Sequence, residues 1–254
     1  TFCVGPFAWQ LLTSVRPEGE QTQLKLPSHL TLVAYAQVFE GRPFARVLLN
    51  SFTVALCTTL LCLLIGSLAA FALAKLPLRG KGLLLGAALG ASMFPPVATV
   101  SPLFLVIRAL GLRDTLTGLI LPYTTFALPL TLWVLTAFFR DLPGELYSAA
   151  RIDGCTPLQA FLRVLLPLAA PGLVTTGLLV FIFSWNEFLY ALTFTSSPDK
   201  RTVPVAIALF AAEHTEPWAQ IAAASVIVTL PLLILTFIFQ KRLVAGLTAG
   251  AVKG

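Results

Sequence analysis

Glu187 is the one charge in an apolar run, Val164 to Phe194, and it directly follows Trp185 and Asn186. An ionisable group in so apolar a setting is costly to keep and is by default a candidate for function. Three roles fit it: lining or gating a path for a polar solute, taking up a coupling ion or proton, or a structural contact with a neighbouring helix. Indole, amide and carboxylate together offer an aromatic face, donors and acceptors, which a neutral polar solute requires of a cavity wall. Tyr123 and Phe126 join Trp185, Asn186 and Glu187 as candidate lining residues. They lie between Pro122 and Pro129, and proline-interrupted helices tend to border cavities. The plainer alternative for both rings is packing between helices.

A second group of polar residues lies at 143–171, where Glu145, Arg151, Asp153 and Arg163 interrupt the apolar pattern. Such a stretch is not lipid-buried helix and must face water or another protein. Leu146, Ala149 and Ala150 recur at helical spacing and predict a shallow, small-residue docking face opposite Glu145, Ser148 and Arg151. Asp153-Gly154 reads as a helix stop, since glycine accepts the left-handed conformation just past a last turn. Thr156-Pro157-Leu158-Gln159 restarts a helix with threonine as cap, proline in the first turn and glutamine reaching back to the cap. Two short helices over 143–162 are therefore expected, the second leading to Phe161.

These groups require long apolar elements to position them, and the chain supplies them. Hydrophobic residues make up 57% and charged residues only 11%, too few polar groups to cover a soluble globule. Spans are expected at about 1–14, 46–75, 82–109, 116–140, 163–195 and 218–241, with the first truncated at its N-terminus because a crossing needs about 20 helical residues. Gly82, Gly86 and Gly90 suit close helix approach, and Pro95, Pro96 and Pro102 bend or interrupt the third span. The segment 196–217 reads as a polar loop. Lys and Arg divide almost evenly between the two sides, so charge bias alone does not orient the chain.

Several chemistries find no support. The net charge of +6 comes without a basic and aromatic cluster, so nucleic-acid binding is not expected. Cys3, Cys57, Cys62 and Cys155 lack zinc or disulfide spacing, and His29 and His214 are isolated, so no metal is expected. Gly80-Lys81 is followed by Gly82 where a phosphate-binding loop needs Ser or Thr, so the chain carries no ATPase site of its own.

Ser148-Ala149-Ala150, Asp153-Gly154, Phe161, Pro167-Leu168 and Pro171 resemble the EAA loop, the signature of permease subunits of binding-protein-dependent ABC importers. Pro6-Phe7-Ala8-Trp9, Asn50-Ser51, Phe94-Pro95, Gly111-Leu112, Trp185-Asn186-Glu187 and the tail from Phe239-Gln240 through Gly246 to Gly254 are similar to the MalG-like branch of carbohydrate importers. The resemblance covers essentially the whole chain. It implies an all-α polytopic membrane protein of the type I ABC importer permease fold, with six transmembrane helices and a cytoplasmic EAA coupling-helix loop. It also implies a prokaryotic inner (plasma) membrane location with both termini cytoplasmic.

The same resemblance implies a non-catalytic subunit that binds no cofactor, with ATP and Mg on a MalK-like ATPase dimer. A MalF-like second permease and an extracytoplasmic sugar-binding protein are the other implied partners. The residues it casts in ATPase coupling are Glu145, Leu146, Ser148, Ala149, Ala150, Asp153, Gly154, Thr156 and Phe161. The loop at 196–217 would reach the binding protein through Ser197, Asp199, Lys200, Glu213 and His214, unless it is only a solvated connector. One departure stands out: the motif glutamate is Ser148 here, with Glu145 one turn earlier as a substitute. The implied substrate is an α-linked disaccharide such as trehalose or maltose. An ion-coupled secondary transporter using Glu187, or an ABC permease for another small solute such as glycerol phosphate, remain the alternatives.

Overall fold

The computed structural model describes residues 4–17, 19–20, 25–40, 43–213 and 218–249, and its regular elements are helices. Near the N-terminus lie α1 (Gly5–Ser14) and α2 (Val33–Phe39). The membrane domain is built from α3 (Phe44–Lys75), α4 (Lys81–Ser92), α5 (Pro96–Ala109) and α6 (Thr117–Asp141). The polar stretch forms α7 (Gly144–Ile152), α8 (Pro157–Ala160), a π-helical turn (Phe161–Leu165) and α9 (Leu166–Leu168). Next come α10 (Ala170–Asn186), α11 (Leu189–Phe194), a 3-10 turn (Pro198–Lys200), α12 (Val203–Glu213) and α13 (Trp218–Ala249).

Helices α3, α6 and the part of α13 ending at Gln240 are each long and apolar enough to cross a bilayer. Two further crossings are broken. Between α4 and α5 the axis turns by 93° across Met93–Pro95, so the expected span 82–109 is not one helix. The cause is local, because Pro95 and Pro96 supply no N–H groups to continue the ladder. The second break turns the axis by 78° at Ala169, so the helix expected over 163–195 begins at Ala170. Residues 163–168 belong to the preceding element, where Pro167 removes a donor and the chain widens into the π turn.

One other expectation needs correction. The segment 196–217 is not a plain polar loop, since α12 occupies residues 203–213. Its sequence, VPVAIALFAAE, is apolar and rich in helix formers, and Phe210, Val203 and Val205 are buried. At the other end of the chain, α1 is a ten-residue helix that packs along α13.

The core is α3 packed on α6 and α10, with α10 also against α13. Its middle layer is thin and made of small groups: Cys62, Ala127 and Val180. Gly66 lets α3 approach α6 closely, since an added Cβ would stand 2.5 Å from Thr131 Cγ2. Larger side chains gather at the two ends. Val54, Leu119, Tyr123, Tyr190 and Phe194 cluster at one end, and Phe71, Leu135, Phe139, Phe161 and Leu165 at the other. The small-residue face of α4 is open, with nothing within 4 Å of a Cβ built at Gly82, Gly86 or Gly90.

This contrast predicts different outcomes for two glycine substitutions. Gly66→Val should lower stability by about 1–3 kcal/mol through overpacking against buried Thr131. Gly86→Ala should leave the melting temperature within error. Thermal unfolding of the purified chain in detergent checks both, and an unaffected Gly66→Val would contradict the close α3–α6 approach.

Candidate functional site

The residues with the most chemistry assemble where α10 ends. Its last residue is Asn186, and Glu187 follows in an extended conformation (φ −68°, ψ 127°) that stops the helix inside the apolar layer. The freed N–H groups of α11 are met by the same residue. Glu187 Oε1 accepts from the Tyr190 N–H at 2.9 Å, and Oε2 accepts from the Ala191 N–H at 3.2 Å. A carboxylate at a helix start satisfies orphan donors and complements the helix dipole.

Around this cap stand three helices. The Tyr190 ring is stacked on Phe126 of α6, with centroids 5.2 Å apart and planes within 16°. Its hydroxyl pairs with Thr99 Oγ1 of α5 at 2.7 Å, and Thr99 in turn donates to the Pro96 carbonyl at 2.7 Å. The Tyr123 hydroxyl is buried beside the Glu187 carboxylate without closing a hydrogen bond to it. Tyr123, Phe126 and Glu187 are therefore brought together as the sequence predicts, with Tyr190 and Thr99 as further members that sequence reasoning missed. Neither carried a signal, because a lone hydroxyl in an apolar run does not announce its partner.

Trp185 and Asn186 are not part of this group. The Trp185 ring is buried against Ala55 and stacks on Phe181 at 5.6 Å. Asn186 is exposed and donates to the Ile182 carbonyl of its own helix at 2.8 Å. Phe94, at the α4–α5 bend, is 64% exposed.

At the opposite end, α7 to α9 form the element read from the polar stretch. Gly154 adopts φ +85°, and Thr156 and Gln159 close a reciprocal capping box at 3.2 and 2.8 Å. The expected docking face needs rotation. Ala150 is buried and Leu146 packs on the Phe71–Phe139–Phe161 cluster, so both face their own domain. The exposed stripe is Glu145, Ser148, Ala149 and Ile152, at i, i+3, i+4 and i+7, with Ile152 85% exposed. Asp153, Gly154 and Thr156 are also exposed. Behind the stripe, Phe161 is buried, 5.1 Å from Phe71 and 6.0 Å from Phe139, and Tyr147 lies 5.9 Å from Phe71. These rings join α7 and the π turn to the ends of α3 and α6.

On the Glu187 side, Ser197 and Lys200 are half-buried and Asp199 is exposed, while Glu213 closes α12 and His214 lies outside the described residues. Asp114 reaches across from the α5–α6 connection to this loop. Hydrogen bonds from the Ser196 N–H and then Ser197 hold its carboxyl below the usual carboxylate range, so these bonds strengthen the fold at neutral pH and are lost as pH falls through that lowered value.

Proline-broken apolar helices, a polar and aromatic cluster at one end and an exposed helical element at the other are the features of a polytopic membrane transport component. The chain belongs to the family described as binding-protein-dependent transport system inner membrane component, whose model matches residues 62–248. It is thus a non-catalytic, multi-pass inner membrane subunit. It is 49% identical to the trehalose transport system permease protein SugB of Mycobacterium tuberculosis, over 98% of this chain and 92% of that protein. It is 46% identical to the sulfoquinovosyl glycerol transport system permease protein SmoH of Agrobacterium fabrum, over 98% of this chain and 88% of that one. Identity to the trehalose/maltose permease MalG of Thermococcus litoralis is 43%, over 99% and 92%. A crystal structure of a bacterial ABC transporter that imports alginate shares the fold with a TM-score of 0.80 at 23% identity, covering 94% of this chain and 90% of that one.

The cap geometry separates two roles of Glu187. Glu187→Gln keeps one acceptor oxygen, which still meets one of the Tyr190 and Ala191 N–H groups, so ATP-driven uptake by the assembled transporter should persist with a smaller loss of stability than the alanine variant. Glu187→Ala leaves those groups unmet and should cost about 1–2 kcal/mol of stability, with reduced uptake. Uptake abolished in a stably folded Glu187→Gln variant would assign the charge itself a coupling role.

Proposed function

We propose that this chain is one of two permease subunits of an ATP-driven carbohydrate importer. The observation that carries the reading is the exposed stripe Glu145, Ser148, Ala149 and Ile152, backed by rings that tie it to α3 and α6. In this reading the element at 143–168 faces the cytoplasm with both termini and docks on a MalK-like ATPase dimer, which holds ATP and Mg. A MalF-like permease completes the path, and a sugar-binding protein delivers solute from outside.

The stripe places Ser148 where the family's motif glutamate falls, one turn from Glu145 and beside Ile152. Docking then rests on shape around Ala149, Ile152 and Gly154, with Glu145 as the available carboxylate. Closure of the ATPase dimer would draw the coupling elements together. The aromatic packing would pass that movement to α3 and α6, opening the path outward in turn. Such coupling requires that the coupling element bind the ATPase differently in the two states.

The cluster of Tyr123, Phe126, Tyr190, Thr99 and Glu187 carries ring faces and hydroxyl groups, the chemistry that would recognise a sugar once helix movement opens it. Together with the names of the relatives, it supports an α-linked disaccharide such as trehalose or maltose. The relative that carries sulfoquinovosyl glycerol supports a second reading, an anionic sugar derivative.

Reconstitution with the partner permease, ATPase and binding protein tests this directly. ATP hydrolysis should rise with trehalose or maltose above the rise with sulfoquinovosyl glycerol or glycerol phosphate. Uptake persisting without the ATPase would overturn the reading in favour of ion-coupled transport. In the same system Gly154→Val, which forces a β-branched residue to a positive φ, should stop assembly or uncouple hydrolysis from uptake. An unaffected uptake rate would contradict the coupling role.

A further inference from the structure

The segment from Thr195 to Val203 is tied to the membrane domain from two sides by side chains distant in sequence. From the α5–α6 connection, Asp114 Oδ1 accepts from the Ser196 N–H at 2.8 Å and the Ser197 N–H at 3.0 Å, while Oδ2 accepts from the Ser197 hydroxyl. The Asp114 N–H returns a bond to the Phe194 carbonyl at 2.9 Å. Arg113 Nη2 adds a donor to Ser196 Oγ at 3.1 Å. From the start of α3, Asn50 Nδ2 donates to the carbonyls of Asp199 at 2.8 Å and Arg201 at 3.0 Å, and Ser51 Oγ accepts from the Val203 N–H at 2.8 Å.

Asp114 holds this geometry at a local cost. Its φ is +60°, the one positive value among the described non-glycine residues. Asp and Asn tolerate that region best, yet it persists only where surrounding bonds over-determine it. Those bonds are the ones to Ser196, Ser197 and Phe194. Asn50 is 3% exposed and Ser51 2%, so the second tie is buried at the head of α3.

A surface connection between helices needs no such fastening to exist, because water can satisfy its backbone. Fastening matters where a partner must meet one shape, since ordering a loop in advance removes part of the entropy lost on docking. The ties consume backbone groups and the Ser196 and Ser197 hydroxyls, and leave the side chains of Pro198 and Asp199 exposed outward.

We propose that Asp114 and Asn50 are positioning residues of a two-point clamp that presents the 195–202 loop, in one fixed shape, to the extracytoplasmic solute-carrying protein. The clamp rests on the importer reading above. It assigns the docking strength to residues outside the loop itself, on α3 and on the α5–α6 connection.

The test uses the complete importer in proteoliposomes, with ATP hydrolysis titrated against solute-loaded binding protein. Asp114→Ala should raise the half-saturating concentration of binding protein about tenfold, equivalent to about 1.4 kcal/mol, with the plateau rate retained. Asn50→Ala, cutting the opposite tie, should shift half-saturation in the same direction. Asp114→Asn keeps an acceptor and the tolerance for positive φ, and should recover most of the shift. Half-saturation unchanged in both alanine variants would overturn the clamp alone. A plateau that falls while half-saturation holds would also overturn it, leaving a merely structural role. A wild-type importer that binding protein fails to stimulate would overturn the importer reading, and the clamp with it.

Discussion

A hydrocarbon layer offers no partner to a backbone N–H or carbonyl, so a chain that breaks its helices there must supply the missing hydrogen bonds itself. The apolar helices of this chain break at Met93–Pro95, at Ala169 and at Glu187–Phe188, and the arrangement of its chemistry follows from how the last two breaks are met. Glu187 satisfies two N–H groups of α11 with one carboxylate. Its presence in an apolar run is thereby explained before any solute is considered. The same cap fixes Tyr190 against Phe126 and Thr99, so the helix break builds the cluster. At Ala169 the problem is solved by winding, with a π turn before Pro167 and a new helix from Ala170.

The two ends of the molecule are large-residue clusters joined by a middle layer of small ones. Around Phe71 three ring contacts converge within 6.4 Å, each contributing about 0.5–1.5 kcal/mol beyond burial, so the element at 143–168 and the ends of α3 and α6 should move as one body. Between the ends, Cys62, Ala127, Val180 and Gly66 offer little interlocking bulk. A packed lever at one end, a smooth middle and a hydrogen-bonded cluster at the other suit a domain whose helices tilt together.

Local signals in the sequence were read well because their causes are local. Gly154 and the Thr156–Gln159 box are decided by residues within one turn, and the structure has both. The exposed face of α7 differs by part of a turn from the strip that spacing alone picks out. Leu146, Ala149 and Ala150 form an apolar strip by spacing alone, but periodicity does not say which edge of a strip meets home and which meets a partner. Only the position of Phe71 and Phe161 shows that Leu146 and Ala150 point inward, leaving Ile152 outward. Helix α12 was hidden by the charged residues flanking its apolar run. Thr99 and Tyr190, 91 positions apart, met by tertiary folding that no window of sequence contains.

The central claim is that ATP-driven movement at the coupling element reaches the cluster of Tyr123, Tyr190 and Thr99 at the far end. The most direct measurement places Thr99→Cys in a background with the native cysteines replaced, assembles the full importer, and follows its labelling by a membrane-impermeant thiol reagent from the extracytoplasmic side. Trapping the ATPase in its closed, ATP-bound state should raise the labelling rate at position 99. An identical rate in the nucleotide-free and ATP-trapped states, with the complex intact in both, would contradict the account.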